Sequence, residues 1–234
     1  LVRLGALSEE TAGFLKMLVV AGYNIFISGG TGSGKTTLLN ALSQFIPSEE
    51  RVITIEDNAE LQIQGVPNLV RMEAKNPNME GAGEITIRQL IRTALRMRPD
   101  RIIVGEVRGA ETIDMIQAMS TGHKGSLSTG HSDSPRDMLR RLETMVLMGM
   151  DIPLAAIQRQ IASAIDIIIH VGRLRDKSRK VLEIVEVLDY EDGEIQTGCL
   201  YEFQETKCRR TDGVIEGRWQ KVRPLLHTEK LLSA

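Results

Sequence analysis

Eight consecutive residues, Gly29-Gly30-Thr31-Gly32-Ser33-Gly34-Lys35-Thr36, meet the spacing G-x-x-x-x-G-K-[ST], which suits the cradling of phosphates. The glycines let the backbone N–H groups of Gly30, Thr31, Gly32, Ser33 and Gly34 turn inward around the anion. Lys35 can then reach the β/γ oxygens, the Thr36 hydroxyl can ligate Mg²⁺, and Thr37 continues into a helix whose N-terminus faces the charge. Hydrolysis needs more: a group to activate water and charges to stabilise the leaving phosphate. Glu56 and Asp57 end one apolar run, and Glu106 follows another behind Gly105. A carboxylate so placed can hold Mg²⁺ or its waters, while one opposite can polarise the attacking water. Thr121-Gly122-His123 and Thr129-Gly130-His131 flank a short strand-like run, and this repeated setting argues for a γ-phosphate contact by His123 and His131. A histidine metal site would need further soft or carboxylate ligands nearby, and none is spaced for it. His170 and His227 read as ordinary satisfied polar residues.

Positive charge for the phosphates has several candidate sources. Arg88, Arg92 and Arg96 share one helix face at i, i+4 spacing, either as a solvated stripe or as charge stabilisers. Arg71, Arg98 and Arg108 compete for the stabilising role, within the chain or across to a neighbouring subunit, with Arg71, Arg92 and Arg108 the foremost candidates.

These groups need a frame that brings them to one edge. Asn24–Ser28 is an apolar run before the glycine-rich loop, Val52–Ile55 precedes Glu56, and Arg101–Val104 precedes Gly105-Glu106. Such runs suit strands buried on both faces of a parallel sheet, whose carboxyl edge is where ligands bind. Helices are predicted over Thr11–Val20 behind Ser8, Thr37–Leu42, Thr86–Met97, Thr112–Met119, Pro135–Met148 and Pro153–Ser163. Further strands are predicted at Ser126–Ser128 and Ile165–Val171. From Val181 the pattern changes to a hairpin pair, Val181–Leu188 and Ile195–Phe203 around Glu191-Asp192-Gly193-Glu194, with another turn at Asp212-Gly213. The fold class expected is α/β: a central, mostly parallel sheet flanked by helices over residues 1–172, residues 1–22 being a lead-in helix. A small β-rich appendage is expected over 173–234.

Composition narrows the partners. The chain has 234 residues, 42% of them hydrophobic, enough for a substantial core, and a net charge of −2 gives no global field for a nucleic-acid backbone. No nucleic-acid partner is expected. Cys199 and Cys208 are not in metal or disulfide-framework spacing, so free thiols are expected. No apolar run approaches the roughly 20 residues needed to cross a bilayer. Membrane association is therefore expected only through a partner.

Four segments in order, GGTGSGKTT (Gly29–Thr37), TIEDNAEL (Thr54–Leu61), RMRPDRIIVGEVRG (Arg96–Gly109) and TGHKGSLSTGHSDSP (Thr121–Pro135), resemble the secretion ATPase superfamily of type II and type IV secretion and type IV pili. They correspond to its Walker A, Asp box, Walker B and His box. More narrowly, the segments from Asn78 to Glu111 and from Arg141 to Asp166 look like the branch that powers Tad/Flp pilus assembly. The resemblance implies a RecA-like P-loop NTPase domain, with ATP and Mg²⁺ as its ligands. It implies Glu56 as the activator of water, Glu106 as the residue positioning Mg²⁺ together with Thr36, and His131 as γ-phosphate sensor supported by His123. It also implies a homo-hexameric ring acting on inner-membrane platform proteins from the cytoplasmic face. Gly105 stands where the usual P-loop pattern has Asp, a departure that the resemblance implies is shared across the superfamily, and two local departures from relatives stand out: Lys75 where arginine is usual, and TGHSDS in the His box.

The expected activity is ATP hydrolysis that powers pilus assembly or secretion. A DNA-translocating or conjugation-type ATPase and a non-hydrolysing, nucleotide-gated scaffold are the alternatives. Because the chain opens on Leu1 and enters the motor almost at once, it is expected to be a fragment lacking the family's N-terminal domain, monomeric and slow on its own.

Overall fold

The Ser8 side chain accepts a hydrogen bond from Thr11 N–H (3.1 Å) and so caps α1, Glu9–Val20. The structure, a computed structural model, describes residues 1–79, 81–206 and 215–232. After α1 come β1 (Ile25–Gly29), α2 (Lys35–Ser43), β2 (Val52–Glu56), β3 (Leu69–Glu73), α3 (Ile87–Ala94) and β4 (Arg101–Val104). Next are α4 (Thr112–Ser120), β5 (Leu127–Gly130), α5 (Pro135–Gly149), α6 (Leu154–Ala164) and β6 (Ile167–Arg173). The chain ends with β7 (Arg179–Glu191), β8 (Glu194–Glu205), β9 (Gly217–Lys221) and α7 (Glu229–Leu232). A Thr86/Gln89 capping box opens α3, and Ser134 with Pro135 opens α5.

Nine strands form one sheet in the order β3-β2-β4-β5-β1-β6-β7-β8-β9, parallel from β3 to β6 and antiparallel beyond. β1, β2, β4 and β5 are buried along their whole length, the first three as their apolar runs predict. One face packs against α3 to α6 through residues such as Ile53, Ile91, Ile116, Leu142 and Ile161, and the other against α1 and α2 through Leu15, Leu18, Leu39 and Leu42.

β3 is not foreseen from the sequence. Its residues alternate between exposed and half-buried, because an edge strand has a neighbour on one side only and needs no continuous apolar run. The hairpin is longer than predicted and turns on Asp192 (φ 50°) and Gly193 (φ 86°), the paired left-handed conformation that matches strand twist. It continues the same sheet as the parallel strands. The predicted turn at Asp212-Gly213 lies outside the described residues.

Three polar anchors hold the end of the sheet remote from the strands' carboxyl edge. The Asn24 amide donates to Met119 O (3.0 Å) and Ala164 O (2.7 Å) and accepts from Ser126 N–H (3.1 Å). Arg101, 1% exposed, donates to both Glu50 oxygens (2.7 and 2.6 Å) and to Val19 O (2.9 Å). Glu186, equally buried on β7, accepts from the amides of Leu226 (3.1 Å) and His227 (2.8 Å) and pairs with Arg223 at 2.7 Å. That capture brings the C-terminal segment back to the start of β1, where Tyr23 donates to His227 O (2.6 Å) and Lys230 pairs with Asp166 at 2.5 Å. Among the described residues no helix is long and apolar enough to cross a membrane. Cys199 is a free thiol, and burial pushes its pKa up to about 11.

Candidate functional site

The parallel register brings the ends of β1, β2, β4 and β5 to one edge: Ser28 pairs with Gly130 and Ile55 with Val104, so Gly29, Glu56, Gly105 and His131 follow side by side. The loop after β1 is tightly constrained. A Cβ on Gly29 would collide with the Val171 carbonyl, and Gly34 takes φ 101° to start α2 without a side-chain cap. The first amides of α2 are therefore left for an anion.

Lys35 is only 7% exposed; its Nζ donates to Gly29 O (2.9 Å), Gly30 O (3.0 Å) and His131 Nδ1 (3.3 Å). An ammonium can only donate, so Nδ1 is the acceptor and a neutral His131 carries its proton on Nε2. Nε2 lies 2.9 Å from Glu106 Oε1, yet without hydrogen-bond geometry, so this buried oxygen has no hydrogen-bond partner. The other oxygen, Oε2, accepts from Arg108 Nε (2.9 Å) and Nη2 (2.6 Å). Burial pushes the His131 pKa below its ordinary value, Glu106 opposing and Lys35 and Arg108 assisting. Burial likewise lowers that of Lys35, against the pull of Glu106.

Glu56, 5% exposed, accepts with Oε1 from the amides of Glu60 (2.9 Å) and Leu61 (2.8 Å), leaving Oε2 as the oxygen available to other partners. Thr31, Gly32, Lys35, Thr36, Glu56, Glu106, Arg108, Thr129 and His131 line one cavity of about 320 Å³. Mg²⁺ fits this donor set. Glu106, whose Oε1 is buried without a hydrogen bond, and Thr36 line the same cavity, and among the described residues no cluster of three or more His, Cys, Asp or Glu forms a protein cage. A hard cation that takes most of its oxygens from phosphate and water needs no such cage.

Other predicted residues stand elsewhere. His123 precedes β5 and its Nδ1 donates to Ala118 O (3.2 Å), so the length of a strand separates it from His131 and the cavity. Arg92 and Arg88 both bind the buried Asp114, each at 2.7 Å. Arg71 is exposed on β3. Of the three foremost arginines, Arg108 alone lines the cavity. Ser33, Gly34 and Thr37 face a second cavity of about 280 Å³ on the other side of the loop, walled by Leu4, Leu7 and Leu38.

Some contributors are not foreseen from the sequence. Glu111 fixes the turn after Glu106 by accepting from the amides of Arg108 (2.6 Å) and Gly109 (2.9 Å). Arg179, at the start of β7, donates to Gly32 O (2.7 Å) and so ties the hairpin to the phosphate loop. Nothing in the sequence around Arg179 signals this, because the contact exists only once β6 and β7 are paired.

The family described as type II/IV secretion system protein matches residues 1–230. A Mycobacterium tuberculosis protein, whose name assigns it provisionally to conjugal transfer, is 42% identical over 84% of this chain and 55% of its own length. The type IV secretion system protein PtlH of Bordetella pertussis is 39% identical over 73% of this chain and 52% of its own. Among solved structures, the VirB11 ATPase of the Brucella suis type IV secretion system superimposes with a TM-score of 0.68 at 36% identity, over 78% of this chain and 54% of that one. The chain thus spans about half the length of the relatives it matches.

Proposed function

From the premise that this chain belongs to the type II/IV secretion system protein family, we propose that it is the motor domain of a Mg²⁺-dependent ATPase that powers export or pilus assembly. The observation that carries this reading is the gathering of Lys35, Thr36, Glu56, Glu106 and His131 around one cavity at the carboxyl edge of the sheet. The loop amides and Lys35 bind the β and γ phosphates, Lys35 exchanging its contacts with the Gly29 and Gly30 carbonyls for phosphate oxygens. Base and ribose extend into the second cavity, beside Gly34 and Thr37. Glu56 Oε2 accepts the proton of a water as its oxygen bonds to the γ-phosphorus, the bond to the β–γ bridging oxygen breaks, and ADP and phosphate leave. Thr36 and Glu106 hold Mg²⁺, which when bound neutralises charge developing on the phosphates. His131, linking Lys35 to Glu106, reports the presence of the γ-phosphate, and Arg108 stabilises its charge. The Brucella VirB11 structure is described in complex with sulphate, a phosphate-shaped anion, which supports an anion site in this fold at 36% identity.

The full-length protein works as a homo-hexameric ring at the cytoplasmic face of the membrane, acting on inner-membrane platform proteins. The exposed Arg71 is available to a neighbouring subunit. Within the family the segments from Asn78 to Glu111 and Arg141 to Asp166 favour a Tad/Flp pilus motor. The names of the relatives at 42% and 39% identity favour a second reading, a conjugation-type or type IV secretion motor. Stimulation of hydrolysis by the platform protein of one system and not the other separates the two.

The general reading predicts that the full-length protein with Mg²⁺ and ATP releases phosphate, and that Lys35→Ala abolishes both ATP binding and release. ATP binding without phosphate release in any assembly state overturns it in favour of a scaffold.

A further inference from the structure

Gly105 stands beside Glu56 at the edge of the phosphate cavity, and its backbone is held on both sides. Its N–H donates to Ile55 O (2.9 Å) and its carbonyl accepts from Thr129 Oγ1 (2.8 Å). It does not take a left-handed conformation, so turn geometry does not explain the glycine. Space does: a Cβ on Gly105 would lie 3.3 Å from Glu56 Cγ, and 3.7 Å from Glu56 Cβ and Ile55 O. With Ile55 O engaged in the sheet, the atom that must yield is Glu56 Cγ. Its carboxylate hangs from Cγ and is tied to the amides of Glu60 and Leu61, so Cγ cannot shift without rotating the carboxylate or breaking those bonds.

We infer that Gly105 is a positioning residue for Glu56: its bare backbone is the surface against which the Glu56 side chain lies, and this sets where Oε2 meets the attacking water. An aspartate at this position would crowd Glu56 and set a like charge beside it. The departure from the usual P-loop pattern thus goes together with moving the water-activating carboxylate to the neighbouring strand. The inference rests on the reading that Glu56 activates water.

Gly105→Ala and Gly105→Asp in the full-length protein test it. Displacements of a few tenths of an ångström at a reacting group predict a kcat about tenfold lower for Gly105→Ala, with the ATP Kd within about twofold of wild type. Gly105→Asp, with its larger side chain, is expected to lose more. Melting temperatures in a double-mutant cycle give a readout independent of activity. Gly105→Ala should destabilise the wild-type background and be near neutral in Glu56→Ala, which lacks Cγ. Unchanged kcat in a folded Gly105→Ala protein overturns the inference, as does equal destabilisation in both backgrounds. If Glu56→Gln itself turns over normally, the failure belongs to the assignment of Glu56.

Discussion

Lys35, His131 and Glu106 form a chain in which each charge state depends on the next. With Nδ1 accepting from Lys35, a protonated His131 would lose that bond and set two cations together. Burial already holds the ring below its ordinary pKa, so it is neutral at neutral pH and charges only on acidification. The kcat of the wild-type protein should therefore show an acid limb that disappears in His131→Asn, read from a pH profile of phosphate release; an identical limb in the variant contradicts the role. Lys35, Glu56, Glu106 and His131 are legible in the sequence because motif spacing and the preceding apolar runs fix both their chemistry and their edge. His123 shows the limit of that reasoning. The same Thr-Gly-His setting recurs on both sides of β5, but the two histidines come out at opposite ends of the strand. The arginine stripe fails for another reason: the partner of Arg88 and Arg92 is Asp114 on α4, a contact no local spacing reveals.

At the level of elements, the site depends on strands held in register from their far ends. Arg101, on β4, joins that strand to Glu50 ahead of β2 and to the end of α1. Gly125 is packed directly against its guanidinium. Removing one partner of such a buried pair leaves the remaining polar groups uncompensated, a loss of about 3 kcal/mol. Arg101→Ala should accordingly lower the melting temperature by on the order of 10 °C. An unchanged melting temperature would show the anchor to be dispensable. Helix starts were readable at Ser8, Thr86 and Pro135 because caps and first-turn prolines are local chemistry, and the buried strands β1, β2 and β4 from their apolar runs. β3 was not, since its pairing with β2 supplies what its own side chains lack.

For the whole molecule, the parallel order could be anticipated from alternating strands and helices, whereas the return of the C-terminal segment to Tyr23 depends on Glu186, buried far away in sequence. The buried His170 lies beneath the phosphate loop with Nδ1 2.9 Å from Ser28 Oγ, and burial depresses its pKa as it does that of His131. Both imidazoles bind protons more weakly folded than unfolded. Stability is therefore intact above the unfolded value near 6.5 and declines as pH falls below it, until the lower folded values are passed. The melting temperature should drop between about pH 7.5 and about pH 5, and by less in His170→Gln; an equal drop would assign the acid sensitivity to other groups. The central claim is that one cavity both binds ATP and hydrolyses it, with Glu56 reserved for the second task. Glu56→Gln tests it most directly, since the amide oxygen can still accept from Glu60 and Leu61 while losing its basicity. ATP affinity and phosphate release measured together in the full-length variant should show binding within about threefold of wild type and turnover lower by about a hundredfold or more; near-wild-type turnover would contradict the account.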